Sequence, residues 1–175
     1  MKQKKKVQEA EPLRPVDTYF AERDANFKDP TNRVIQAIFL PLLFFVIMGG
    51  IWMIPFPQFE FLVKLNWHTF LNWGSFFIAI IIYFYLKMSA TLSYAILFSI
   101  GAMSYFIVQL EYVQKNGGPA VIWVCLTIAL LSLVVLFLGK EKEKRKITGK
   151  QFLQFLLVGP IWLWHFVFKK LKLRY

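Results

Sequence analysis

A chain with several apolar runs of about twenty residues has few ways to fold, because each run in a helix crosses roughly 30 Å of hydrocarbon. Residues 34–54 form the first such run, interrupted only by Gln36, and residues 70–86, 90–110 and 121–138 form three more. Lipid offers no hydrogen bonds to exposed backbone, so these runs are expected as helices. The expected fold class is all-α: a polytopic membrane helical bundle with four transmembrane helices. Ser93, Ser99, Gly101, Ala102 and Ser104 supply small positions for close packing. The first run carries Pro41, where a kink is expected, and Trp52, Pro55 and Pro57 mark its far interface. Asn116-Gly117-Gly118-Pro119 is a turn.

Lys and Arg number 21 against 10 Asp and Glu, giving a net charge of +11 that suggests an anionic partner. The cations cluster beside the apolar runs, however, where they anchor and orient membrane helices, so nucleic acid is not expected as a partner and membrane lipid is. The single cysteine, Cys125, excludes an internal disulfide and a Cys-based metal site. Lys2, Lys4, Lys5 and Lys6 resemble the start of a signal peptide, but Glu9, Glu11, Pro12, Arg14 and Asp17 follow instead of an apolar core, so no cleaved signal is expected.

Charge also orients the chain. The leader, the Lys87 turn and the basic linker of residues 140–150 fall on one side of a four-span bundle, and only Lys64 and Lys115 on the other. The positive-inside rule places the basic side, and both termini, in the cytoplasm of an integral membrane protein. A last apolar segment, residues 152–168, has Gly159-Pro160 in its middle and is followed by Lys169, Lys170, Lys172 and Arg174. Crossing would carry those cations outside. It is therefore expected as a Gly-Pro-broken, re-entrant or interfacial segment that returns to the cytoplasmic face.

The organisation that results is a soluble basic leader and surface helix over residues 1–28, then a membrane domain over 29–175. Within the leader, Val16, Tyr19, Phe20, Arg23 and Phe27 share one face, as in a short helix lying on a membrane. Asp29 followed by Pro30 is a helix start, an N-cap followed by proline in the first turn. Asn32 and Gln36, four residues apart, share a helical face. They suit either a polar pocket for a lipid headgroup or 2-hydroxy acid, or helix-to-helix hydrogen bonds, and Asn72, Gln109 and Gln154 have the same two readings. Of the two histidines, His68 falls in the far loop as an interfacial residue, and His165 lies between Trp164 and Phe166 on the returning segment, nearer the entrance. No phosphate loop, nucleophile elbow or zincin motif is present.

Several stretches together resemble a known family: Tyr19-Phe20-Ala21-Glu22, Asp29-Pro30-Thr31-Asn32 with Pro41 beyond, Leu71-Asn72-Trp73, and Leu153-Gln154-Phe155-Leu156-Leu157-Val158-Gly159-Pro160-Ile161-Trp162-Leu163. With them the chain, from Asp17 to Tyr175, resembles the Mpo-like small membrane proteins, whose characterised activity is iron-dependent dioxygenation of 2-hydroxy fatty acids. The resemblance implies Fe2+ held by histidines of a His-x-Asn-Pro-x-Asn-x-x-x-His stretch and a later Gly-His. Aligned without gaps, those histidines fall on Phe27, Gln36 and Lys140. Asp29 replaces the first Asn, Pro30 and Asn32 are kept, and Glu143 lies near where family members often carry a Glu. Phenylalanine cannot bind a metal, and a lysine ammonium repels one. The expectation is thus a family member without the iron site and with no cofactor, a pseudoenzyme acting as a structural, lipid-binding or accessory membrane protein. Asp29, Asn32, Gln36, Glu143 and His165 are its expected polar pocket. The alternatives are an active fatty acid α-dioxygenase with ligands rebuilt from Asp29, Glu143, Glu22 and His165, and a subunit of a larger membrane complex or homo-oligomer.

Overall fold

The computed structural model describes residues 15–57, 59–65, 71–143 and 147–173. His68, the leader lysines and Arg174 lie outside the described residues. In chain order the helices are α1 (Pro15–Asn26), α2 (Pro30–Trp52), α3 (Glu60–Lys64), α4 (Trp73–Met88), α5 (Ala90–Lys115), α6 (Val121–Glu141) and α7 (Gly149–Lys170). Among the described residues there is no strand. Four helices, α2, α5, α6 and α7, are long and apolar enough to cross a membrane. The protein is an all-helical integral membrane bundle.

Local chemistry sets the helix boundaries. Asp29 is extended and accepts the Asn32 amide at 2.9 Å, so α2 begins at Pro30, before the apolar run. Asn72 caps α4 in a capping box with Ser75, which gives this residue a structural duty in place of a pocket. Ser89 alone joins α4 to α5 and caps the second of them. The expected span over 70–86 is thereby shortened to a 16-residue helix, about 24 Å long.

Helices α2 and α6 form the main antiparallel pair. Asn32, at the start of α2, lies against Gly139 near the end of α6, and Gly49 near the end of α2 lies against Cys125. Helix α4 runs back along α2 from Gly74, which meets Trp52. The end of the bundle that holds Asn32 and Gly139 is called here the near end.

Helix α7 departs from expectation in one respect. It is continuous from Gly149 to Lys170 with Pro160 inside it, not broken at Gly159-Pro160. Proline removes the N–H that would bond the Leu156 carbonyl and pushes the flanking turn open. Side chains from other helices then serve the carbonyls on either side: Phe155 accepts from Arg23 Nη1, and Leu157 accepts from the Tyr85 hydroxyl at 2.7 Å. These bonds tie the proline turn to α1 and α4, and the helix runs through it.

The course of α7 keeps both its ends near the entrance. Close to its start, the Phe152 ring lies 5.7 Å from the Lys140 ammonium; close to its end, Lys169 shares a cleft with Arg33 and Asp24. Between them Gly159 meets Leu40, and Pro160, Leu163 and Trp164 line a cavity with Ala37, Pro41 and Phe44. Its neighbours on α2 in these contacts therefore run only from Arg33 to Phe44. Helix α7 lies obliquely across the near half of the bundle.

Helix α1 also differs from its expected place. Its apolar face, Val16, Phe20, Arg23 and Phe27, is buried rather than turned to lipid. Phe20 stacks on His165, and Phe27 meets Phe155 edge-on, so α1 is a buttress beneath α7.

Candidate functional site

The near end carries a fully buried cation. Arg23 projects from the apolar face of α1 and is 1% exposed. Its Nη2 donates to Gln36 Oε1 and its Nη1 to the Phe155 carbonyl, linking α1 to α2 and α7. Its charge also lies over aromatic faces, 4.5 Å from the Trp162 centroid and 5.2 Å from that of Phe27. The Trp162 indole N–H donates to Asp24 at 3.0 Å, bringing a carboxylate to the other edge of the same stack. Burial lowers the Arg23 pKa from its ordinary value to about 9, with the Asp24 charge acting in the raising direction. The guanidinium remains charged at neutral pH.

A second cluster lies beside it. Glu143, just past the end of α6, accepts the backbone N–H of Lys28 at 3.0 Å, that of Asp29 at 3.2 Å, and Asn32 Nδ2 at 2.7 Å. One carboxylate therefore holds the α1–α2 corner against the end of α6. The close approach needs Gly139, because a Cβ there would stand 2.5 Å from Asn32 Oδ1. Asn32 Oδ1 is itself buried without a hydrogen-bond partner.

The predicted pocket residues thus separate into three groups. Asp29, Asn32 and Glu143 form the corner cluster. Gln36 turns to Arg23, and with Phe27, Phe155, Phe152 and Leu136 the pair lines a void of only about 10 Å³. His165 stacks on Phe20 with ring centroids 4.3 Å apart and lines a different cleft with Asp24, Arg33 and Lys169. Lys140 rests its ammonium 5.1 Å from the Phe137 centroid and is 3.8 Å from the Glu141 carboxylate. Glu22 is exposed, Gln109 lines an apolar groove between α5 and α6, and Gln154 is half-buried on α7.

These residues do not fit an iron ion at the positions the resemblance implies. The Phe27 ring offers no lone pair, the Gln36 oxygen receives Arg23 Nη2, and the Lys140 ammonium is a cation. The void between Phe27 and Gln36 is about the size of one water molecule and is walled by the guanidinium. A dication about 5 Å from that charge would be opposed by about 7 kcal/mol at an effective dielectric constant of about 20. The rebuilt set fares no better. Both Glu143 oxygens already accept hydrogen bonds, and among the described residues no three His, Cys, Asp or Glu side chains gather where they could hold a metal.

Arg23 is the member that sequence reasoning undervalued. Its position on the helical face of Val16, Phe20 and Phe27 was the available signal, since a cation inside an apolar stripe needs either water or buried acceptors.

No family model, no curated protein and no solved structure matches the chain.

Proposed function

We propose that this chain is a member of the Mpo-like, 2-hydroxy fatty acid dioxygenase-like family in which the metal position has been taken over by an arginine, and that it serves as a lipid-binding, structural or accessory membrane protein. One observation carries the reading: the buried Arg23 guanidinium sits between Phe27 and Gln36, the two positions that the resemblance assigns to histidine ligands. A guanidinium there supplies rigid hydrogen bonding to two carbonyl-type oxygens and no coordination chemistry. The purified protein is expected to carry no stoichiometric iron. It is also expected to give no product one carbon shorter from a 2-hydroxy fatty acid supplied with oxygen and ferrous iron. Stoichiometric iron, or that product, would overturn the proposal.

The near end is proposed to face the cytoplasm. Lys28, Arg33, Lys87, Lys140, Lys142, Lys150, Lys169 and Lys170 gather there, against Lys64 and Lys115 at the other end, as the positive-inside rule requires. The oblique course of α7 supports a C-terminus on that same side. A C-terminal tag labelled only from the external face would sink this topology.

A further inference from the structure

Three adjoining cavities, each sharing lining residues with the next, run from the near end into the far half of the bundle and together form one channel. A mouth of about 240 Å³ is lined by Asp24, Arg33, Trp162, His165 and Lys169. A chamber of about 340 Å³ lies between α2, α5 and α7, lined by Pro41, Ile96, Ser99, Pro160 and Trp164. A groove of about 460 Å³ continues between α2, α5 and α6 past Phe106 and Leu110 to Val113 and Val124. Ala37, Leu163 and Phe166 line both mouth and chamber, and Pro41 and Met103 line both chamber and groove.

Polarity changes once along this channel. The chamber and groove are apolar, and Ser99 Oγ in the chamber receives the Trp164 indole N–H at 2.9 Å, so its polar group is already engaged. At the mouth, Arg33 is steadied by its Nε, which donates to the Phe27 carbonyl at 3.1 Å, while the side chain stays exposed. Arg33 and Lys169 contribute two positive charges and Asp24 one negative, so these three side chains leave the mouth with an excess of one positive charge. From Arg33 to Phe45 the channel follows α2 for about 18 Å, and along α5 its apolar part runs from Ile96 to Val113, about 26 Å, well past the middle of the bundle. The two prolines shape the chamber: Pro41 and Pro160 face it from α2 and α7, and the small Ala37 side chain leaves the passage open at the join.

We propose that the channel binds a membrane phospholipid of single negative charge, with its phosphodiester at Arg33 and Lys169 and one acyl chain in the chamber and groove. A cationic rim over a long apolar shaft is complementary to that molecule in charge and polarity. The inference rests on the lipid-binding part of the proposed function and is independent of the metal question, since none of these residues stands at an implied ligand position except His165 of the rebuilt set.

The test is native mass spectrometry of the full chain, released from detergent with phosphatidylglycerol, phosphatidylcholine or oleate added. The wild type is expected to retain phosphatidylglycerol over phosphatidylcholine by roughly tenfold. The exposed double variant Arg33→Gln with Lys169→Gln should lose that preference, whereas Lys64→Gln with Lys115→Gln at the far end should keep it. Met103→Trp, which narrows the join between chamber and groove, should weaken both phospholipids together. Equal retention of the two phospholipids by the wild type would overturn the proposal. So would a preference untouched by Arg33→Gln with Lys169→Gln, or oleate binding more tightly than phosphatidylglycerol. Iron content, measured on the same sample, reports on the family reading separately from any of these outcomes.

Discussion

Gly139 of α6 lies so close to Asn32 of α2 that a single added carbon at Gly139 would stand 2.5 Å from Asn32 Oδ1. The contact sits where the main helix pair of the bundle meets the Glu143 corner. Gly139→Ala is expected to force these helices apart and cost about 1–3 kcal/mol, read as unfolding in detergent. Asn32→Ala removes the obstructing oxygen, so the double variant should be more stable than the sum of the two single effects. Strict additivity would show that the contact is not what sets the spacing.

Arg23 gives the second prediction. Arg23→Gln strips donors from the Gln36 side chain and the Phe155 carbonyl, and leaving buried acceptors unmet is expected to cost about 2–4 kcal/mol. Arg23→Lys keeps the charge but not the two-pronged donor geometry, and should recover less than half of the loss. Chemical unfolding of the three proteins in the same detergent decides it.

The pH dependence of that difference follows from the lowered Arg23 pKa of about 9. Below about 9 the guanidinium is protonated in both folded and unfolded chains, so the stability gap between wild type and Arg23→Gln should be flat from pH 6 to 8. Above that value the unfolded chain binds more protons at this position than the folded one. The wild type should then gain stability with rising pH relative to the variant. A gap that changes between pH 6 and 8 would assign the titration to another group.

Glu143 supplies the fourth. Glu143→Ala leaves the Lys28 and Asp29 amides and the Asn32 side chain without their acceptor, for an expected cost of about 1–2 kcal/mol in this partly exposed corner. Hydrogen exchange at those two amides should accelerate, while exchange within α4 and α5 stays unchanged. Glu143→Gln retains an acceptor oxygen and should lie between Glu143→Ala and the wild type.

What the sequence disclosed follows the range of the forces involved. The Asp29 cap and the apolar runs are local signals, and α2, α5 and α6 lie where those signals place them. Gly159-Pro160 was also a local signal, but the helix runs through it, with side chains from α1 and α4 reaching the carbonyls of that turn from far along the chain. Periodicity likewise identified the face of α1 that holds Arg23 but not what would cover it, since its acceptor at Phe155 is 132 residues further along. The corner cluster escaped for a similar reason: Glu143 stands in a lysine-rich linker, where its bond to an amide 114 positions earlier leaves no local trace.

That separation between Arg23 and Phe155 has a consequence for how the protein is made. A ribosome delivers α1 well before α7, so the arginine emerges before its carbonyl acceptor exists. Until synthesis reaches α7, α1 can bond to Gln36 of α2 but lacks the Phe155 carbonyl and the Trp162 face that complete its burial. Full docking of α1 thereby reports that α7 has arrived, a link written across 132 residues of the chain.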